Sequence, residues 1–356
     1  MECNLADKGT GSKEILVVVN HEISGENVLL AHQNFVVNEL AKVYKNVIVL
    51  TGSHNGQSTL PNVKVVSTHW QSGRKLRNLW NLYKAFFIIL TRVQKATFFF
   101  HMADLQAAFL SPLLRLMNIK SFLWYAHTHL SIYLRFANFW VDGIITSTSG
   151  SCPIKTSKVT PIGQGVDPNL FQTHIGTKLD SGVHIGRLDE SKNYSLIFDE
   201  FLRLQSKGLT KTLNIFGEPS RKESLKYLRE LKFEYKLGIS DGSLKFAGGI
   251  SKKLVPSVLA ASDYFIHAYT GSLDKTLIEA TLSRIPVVTI NQEYINEFGR
   301  WATPETPLTL GVEFEALSRL SLDQRAAYLE FRYAHAVTNH SLENWVSKLV
   351  NLLSAS

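Results

Sequence analysis

The sequence predicts an α/β protein built from two doubly wound domains. Three observations lead there. Short β-branched or aromatic runs alternate with helically spaced segments. The alternation breaks at a Gly- and Pro-punctuated stretch and then starts again. The chain has 356 residues, too many for one ordinary core.

The elements follow in order. EILVVVN (Glu14–Asn20) reads as a buried parallel strand, apolar on both faces. VLLAHQNFVVNELAKVY has helical spacing, NVIVLTG and VKVVSTH are strand-like, and ATFFFHM, KSFLWYAH and DGIITST continue the series. VTPIGQGVDPNLF (Val159–Phe171) reads as the connection between domains. Beyond it SGVHIGRL, KTLNIFG, GSLKFAGG, SDYFIHAY and IPVVTI are strand-like. Helices between them are expected in NYSLIFDEFLRLQS, SRKESLKYLRELKFEYK, KKLVPSVLAAS and DKTLIEATLS, and HSLENWVSKLVNLLS closes the chain as an amphipathic helix. The expected division is 1–162, 163–333 and a closing helical segment, 334–356, that returns to the first domain. Two such domains facing each other would hold a ligand between them, at the carboxyl ends of the strands.

Composition narrows the function. Hydrophobic residues make up 45% and charged residues 19%, a globular balance. The net charge of +8 favours an anionic partner without choosing one. No basic run interleaved with aromatics forms a nucleic-acid module, so no nucleic acid is expected. Two cysteines, Cys3 and Cys152, rule out a disulfide framework, and no Cys/His cluster suggests zinc. The opening MECNLADKGTGSKE lacks the apolar core of a secretory signal, and AFFIIL is too short to span a bilayer. The expected setting is cytoplasmic.

Two stretches carry chemistry. In HIGRLDESKN a strand ends near Ile185, Gly186 permits a turn, and Arg187 and Lys192 follow in one loop. Two cations there suit a diphosphate, Arg as a planar fork and Lys as a point charge; two solvated surface cations are the plainer alternative. In GSLDKTLIEATLSRIPVV a turn leads into a helix near Asp274. A helix start offers unpaired N–H groups to a phosphate, and Gly271 lets the backbone come close. Asp274 could instead be a simple cap. Glu279, flanked by Leu277, Ile278, Ala280 and Leu282, sits where a carboxylate could receive ribose hydroxyls. His127 follows a strand and could reach the cleft. His101 also ends a strand and could line the acceptor side.

These residues resemble a known family. GQGVDPNLF, GRLDESKN, IFGEP, LKFAGGISKKLVPSVLAASDYFIHAY and DKTLIEATLSRIPVV match, in order, the C-terminal half of retaining GT-B glycosyltransferases of family four, group 1. FLWYAHTHLSIYLRFANFWVDGIITST resembles an N-terminal segment of that group, and NHSLENWVSKLV its closing helix. The resemblance implies two Rossmann-like domains and transfer of a sugar from a nucleotide-diphosphate sugar of UDP or GDP type, with no bound cofactor and no metal. The acceptor would be a glycan or a lipid-linked one. Front-face substitution with retention is the implied route.

It also implies roles. Arg187 and Lys192 resemble the cation pair on the departing diphosphate, and Glu279 the second Glu of a Glu–seven residues–Glu motif that holds the ribose. The backbone of Ser272, Leu273, Asp274, Lys275 and Thr276 would meet phosphate or sugar. Gly217 and Glu218 fall at a Gly-rich turn, the stretch Phe246 to Ile250, with Gly249, would flank the base, and Gly25 matches a loop near the diphosphate. His127 matches a histidine near the reacting sugar. The chain departs from the pattern at Gly271, where the family has a sugar-binding Glu; Asp274 and Lys275 are candidates to replace it. A sugar-nucleotide epimerase or a non-catalytic nucleotide-sugar binder remains as an alternative.

GRKLRNLWNLYKAFFIILTRVQK (73–95) adds a basic amphipathic helix. Leu76, Leu79, Trp80, Tyr83, Phe86, Phe87 and Leu90 are expected on one face, Ile88 and Ile89 outside it, with Arg77, Lys84, Arg92 and Lys95 alongside. Such a segment fits an anionic membrane surface, or a core face with a basic edge.

Overall fold

The computed structural model describes residues 15–23, 31–54, 60–93, 95–174 and 176–354. They form two compact units, one reaching Pro161 and taking up the chain again from Val346, the other Ile162–Trp345.

The first unit runs β1 (Ile15–Ile23), α1 (Ala31–Val43), β2 (Asn46–His54), β3 (Val63–Ser67), α2 (Lys75–Leu90), β4 (Thr97–His101), α3 (Asp104–Leu116), β5 (Ser121–Trp124), α4 (Ile132–Trp140), β6 (Gly143–Thr146) and β7 (Val159–Pro161). Its sheet has the order β3-β2-β1-β4-β5-β6-β7, with parallel pairing throughout. Leu16, Val17 and Val18 of β1 and Phe98, Phe99 and Phe100 of β4 are each 0% exposed, as strands covered by helices on both faces require. The stretch read as a plain connection begins inside this sheet. Val159–Pro161 pair with β6 as the edge strand β7, where a proline costs no ladder bond on the solvent side.

Helix α2 is rotated relative to the face expected from spacing. Its buried side is Asn78, Leu82, Ala85, Phe86 and Ile89. Leu76, Trp80, Phe87 and Ile88 are instead 86%, 71%, 53% and 40% exposed. The helix is apolar on more than one side, so spacing alone could not fix which stripe the sheet would cover. Asn78 decides the rotation: its amide accepts from the Gln71 N–H at 3.0 Å and donates to the Gln71 carbonyl at 2.7 Å.

The second unit runs β8 (Ser181–Ile185), α5 (Tyr194–Ser206), β9 (Thr212–Phe216), α6 (Lys222–Glu234), α7 (Lys236–Ser240), β10 (Leu244–Gly248), α8 (Val255–Ala260), β11 (Tyr264–His267), α9 (Lys275–Leu282), β12 (Val287–Thr289), α10 (Gln292–Phe298), α11 (Leu310–Arg319) and α12 (Leu322–His340). Helix α13 (Leu342–Ser354) begins in this unit and ends in the first. The expected helix Ser220–Lys236 breaks into α6 and α7 at Tyr235, whose hydroxyl turns inward to Asp199 at 2.7 Å. The sheet order is β10-β9-β8-β11-β12, all parallel. Chain order reverses between β8 and β11, so their carboxyl ends form the switch point where ligands bind in such sheets.

Three strand ends converge there through glycine. The Gly186 N–H donates to the Phe216 carbonyl at 3.0 Å, and the Gly217 N–H to the Gly248 carbonyl at 2.8 Å. A Cβ on Gly217 would run into the Gly186 carbonyl oxygen. Gly217→Ala is therefore expected to destabilise by about 1–3 kcal/mol through overpacking. A denaturant melt measures this, and unchanged stability would show that the β8 and β9 ends can part.

Candidate functional site

The loop from Gly186 to Lys192 leaves β8, and the loop Ala268–Asp274 leaves β11 and starts α9. Their side chains meet. The Lys192 ammonium forms an ion pair with the Asp274 carboxylate, and lies 4.2 Å from the centre of the Tyr269 ring. His267 Nε2 is 3.3 Å from the same Asp274 oxygen, and His267 Nδ1 is 3.3 Å from Thr289 Oγ1. Asp274 stands at the cap position of α9 but makes no side-chain cap bond. Its carboxylate serves the cation instead, so the first turn of α9 keeps its N–H groups without a side-chain cap.

Charge explains the ionisation of this group. Burial pushes the Asp274 carboxyl up, but the Lys192 ammonium and the His267 ring outweigh it and hold it well below the usual range. Burial lowers His267 against the pull of Asp274, and takes the neighbouring His184 down to about 3. Both rings are therefore neutral at physiological pH.

Further along α9, Glu279 is 5% exposed, with one oxygen 3.1 Å from the Lys252 ammonium. Its other oxygen is buried with no hydrogen-bond partner, and so is the Thr276 hydroxyl one turn earlier. These two buried polar atoms lie on one helix next to the sheet switch point, where they are open to hydrogen bonds from a ligand. Lys275 begins the helix. Burial lowers its ammonium to about 8, against the favourable pull of Glu279.

The backbone of the second loop is fixed by two amides that spacing gave no reason to single out. Asn291 donates to the carbonyls of Tyr269, Gly271 and Ser272 at 2.8, 3.2 and 3.3 Å. Gln164 donates to the carbonyl of Leu273. Tyr269 was equally unmarked. Its phenol lies where a side chain at position 271 would begin, which accounts for Gly271.

The remaining residues expected at the site divide. Arg187 is exposed and only loosely paired, 3.7 Å from Asp189. Glu218 is exposed and covers Gly249, and Ile250 follows at the end of β10. Ser272 and Leu273 are buried in the loop. Phe246 turns its ring toward Phe198, centroids 5.7 Å apart, in the layer of α5. His101 and His127 belong to the first unit. His101 is 2% exposed and stacked on Phe99. His127 is exposed, with its ring 5.7 Å from that of Tyr125. Gly25 lies outside the described residues.

Two expected outcomes follow from this geometry. Gly271→Glu drives its Cβ into the Tyr269 ring and lowers the melting temperature, and Tyr269→Ala in the same chain recovers part of the loss. Equal losses in single and double variants would show that the two positions do not compete. Lys275 loses its proton near pH 8 in the folded chain, against 10.5 for the ordinary group. Its attraction for an anion is thus complete below 8 and fades as pH rises through it. Nucleoside diphosphate affinity, measured calorimetrically, is expected to weaken across that range, and Lys275→Met to remove the step.

Comparison with known proteins gives the site a context. No curated protein matches the chain. Residues 181–306 match the family model described as glycosyl transferases group 1. Among solved structures, Alr3699/HepE of Anabaena in complex with UDP superposes with a TM-score of 0.73 at 16% identity, covering 96% of this chain and 100% of that one. A Rickettsia africae glycosyltransferase gives 0.72 at 14%, covering 97% and 99%. Sucrose-phosphate synthase of Thermosynechococcus elongatus gives 0.72 at 15%, covering 97% and 100%. At these identities the likeness shows the fold, GT-B, with two Rossmann-like domains. The matched segment runs from β8 to just before α11 and includes Arg187, Lys192, Asp274 and Glu279. Within the second unit, residues 181–306 thus resemble glycosyl transferases group 1, and the chain as a whole shares the GT-B fold.

Proposed function

We propose that the chain transfers a sugar from a nucleotide-diphosphate sugar to a glycan or lipid-linked acceptor, with retention and without a metal. The observation that carries this reading is the buried, partnerless oxygen of Glu279 on α9, whose other oxygen is paired with Lys252. A ribose hydroxyl is a donor of the right kind for it. Anabaena HepE has been crystallised with UDP and with UDP-glucose, which supports a nucleotide sugar of UDP type as donor.

The residues divide the work by charge. Cleavage of the sugar–phosphate bond leaves negative charge on the diphosphate and positive character on the ring. Arg187, Lys275 and the first-turn N–H groups of α9 receive the diphosphate, and fixed donors of this kind lower the barrier most where charge develops. Lys192 contributes from beneath, its ammonium held in place by Asp274 and the Tyr269 face. The Tyr269 phenol occupies the region of the missing Glu and takes over contact with the sugar, with Asp274 and Lys275 as further candidates. His127, exposed on the first unit, is the candidate to serve the reacting sugar, whereas His101, 2% exposed and stacked on Phe99, is closed to an acceptor.

A second reading has its own observation. The Lys192 charge is already neutralised by Asp274, which suits a protein that binds a nucleotide sugar without turning it over.

The first unit adds a location. Leu76, Trp80, Lys84, Phe87 and Ile88 form one exposed stripe of α2, with Arg77 beside it. An apolar stripe edged by cations lies well on an anionic bilayer, at about 1 kcal/mol per cation near the surface. No described helix is long and apolar enough to cross a membrane. We assign the chain to the cytoplasmic side of such a surface.

Arg187→Ala is expected to lower kcat/KM about tenfold or more, because one charge-assisted hydrogen bond is worth ~1.5–3 kcal/mol. Transfer and nucleotide release across a panel of UDP and GDP sugars measure it. Binding without turnover supports the second reading, and unchanged kinetics remove Arg187 from the mechanism. Vesicle flotation is expected with anionic lipid and not with neutral lipid, and Trp80→Ser to reduce it. Absence of flotation in every case ends the membrane assignment.

A further inference from the structure

Away from the residues assigned to the donor, α10 and α12 bring three metal-ligating side chains together. Glu297 stands in the last turn of α10, and His335 and His340 in the last two turns of α12. One ligand atom from each lies within 4.8 Å of the others. His335 Nε2 is 2.9 Å and His340 Nε2 3.6 Å from the same carboxylate oxygen, Glu297 Oε2.

Hydrogen bonding accounts poorly for this arrangement. His340 is 1% exposed, and neither of its ring nitrogens has a hydrogen-bond partner. His335 Nε2 is approached by the Glu297 carboxylate and, at 3.2 Å, by the Asn339 amide nitrogen. With the Asn339 amide turned over, a protonated Nε2 would donate to both, and a metal ion on that nitrogen would stand in place of the proton. A cation between the two Nε2 atoms and the carboxylate satisfies all three at once. Zinc bonds of about 2.0–2.2 Å imply tetrahedral ligand separations of roughly 3.3–3.5 Å. The observed 2.9 and 3.6 Å lie to either side, so small side-chain rotations suffice. Turning the Asn339 amide over presents its oxygen, as a further ligand or as an acceptor for metal-bound water.

We propose that Glu297, His335 and His340 form a binding site for a divalent transition metal of the zinc class. Two imidazoles and one carboxylate suit zinc better than magnesium or calcium, which prefer all-oxygen sets. Glu297 and His335 keep side-chain exposures of 30% and 28%, so the ion has a path in from one side.

Position gives the ion a structural task. The Val166 N–H donates to the His340 carbonyl and the Leu342 N–H to the Val166 carbonyl, both at 2.9 Å. Gly163, at φ +93°, abuts the Asn339 backbone so closely that a Cβ would collide with its carbonyl. The segment entering the second unit and the helix leaving it are thus joined at the end of α12. A metal on His335 and His340 fixes that end to α10.

The test uses the untagged full chain, stripped with chelator. Cobalt(II) titration followed by visible absorption, with zinc competition and elemental analysis, is expected to show one ion per chain. Zinc is expected to raise the melting temperature by several degrees. Glu297→Gln and His335→Ala should each weaken cobalt binding by about tenfold or more and abolish the thermal shift. Glu297→Gln preserves size, so it remains decisive if His335→Ala does not fold by circular dichroism. Absence of saturable one-to-one binding in the parent chain overturns the proposal. So does binding left intact in the variants, which would place the ion on others of the 12 histidines.

Discussion

The ion pair between Lys192 and Asp274 organises the second unit. Lys192 comes from the loop after β8 and Asp274 from the loop after β11, so the pair joins the two strands that flank the reversal of chain order. Its side chains are 9% and 20% exposed. Removing either partner from such a place leaves a charge with little water and costs about 3–5 kcal/mol. The Tyr269 face and the His267 ring complete the enclosure, and Asn291 and Gln164 hold the backbone beneath it.

That pair shapes the chemistry open to the site. Because the Asp274 side chain is turned to Lys192, it leaves the start of α9 uncapped, and an anion can take the first-turn N–H groups. Because Lys192 is held by Asp274 and the Tyr269 face, it is a fixed charge that would spend little ordering entropy on the diphosphate proposed above. The cost is a weaker net field, since Asp274 offsets it. In the proposed reading, Arg187, exposed and loosely paired, and Lys275 supply the remaining attraction. Glu279 lies deeper in the same helix, engaged by Lys252 on one oxygen only. The uncapped helix start and the half-engaged Glu279 thus lie along one helix, in the order that the proposed phosphate and ribose contacts require.

Much of this could be read from the residues in order. Runs such as EILVVVN and SDYFIHAY are apolar on both faces, which is how parallel strands under helices must look, and both became central strands. Edge strands are less marked: VTP carries a proline and two half-buried residues, so its sequence resembles a linker although it pairs with β6. Helix α2 offered several apolar stripes, and a buried asparagine chose among them. Arg187, Lys192 and Glu279 stood out by type and spacing. Tyr269, Asn291 and Gln164 did not, because their roles depend on contacts between segments far apart in the chain. Gly271 stands out as an absence; the Tyr269 phenol takes the space beside it and would have to move to admit a side chain there. His335 and His340 were invisible as a pair with Glu297 because 38 residues separate His335 from that carboxylate.

The central claim is that the switch point of the second unit binds a nucleoside diphosphate with Glu279 on the ribose. Calorimetric titration of UDP and of inorganic pyrophosphate into the parent chain and into Glu279→Gln tests it most directly. The account predicts that the substitution weakens UDP by about tenfold or more, the range for a hydrogen bond to a charged group, and leaves pyrophosphate nearly unchanged. Equal weakening of both ligands, or no weakening of UDP, would contradict it.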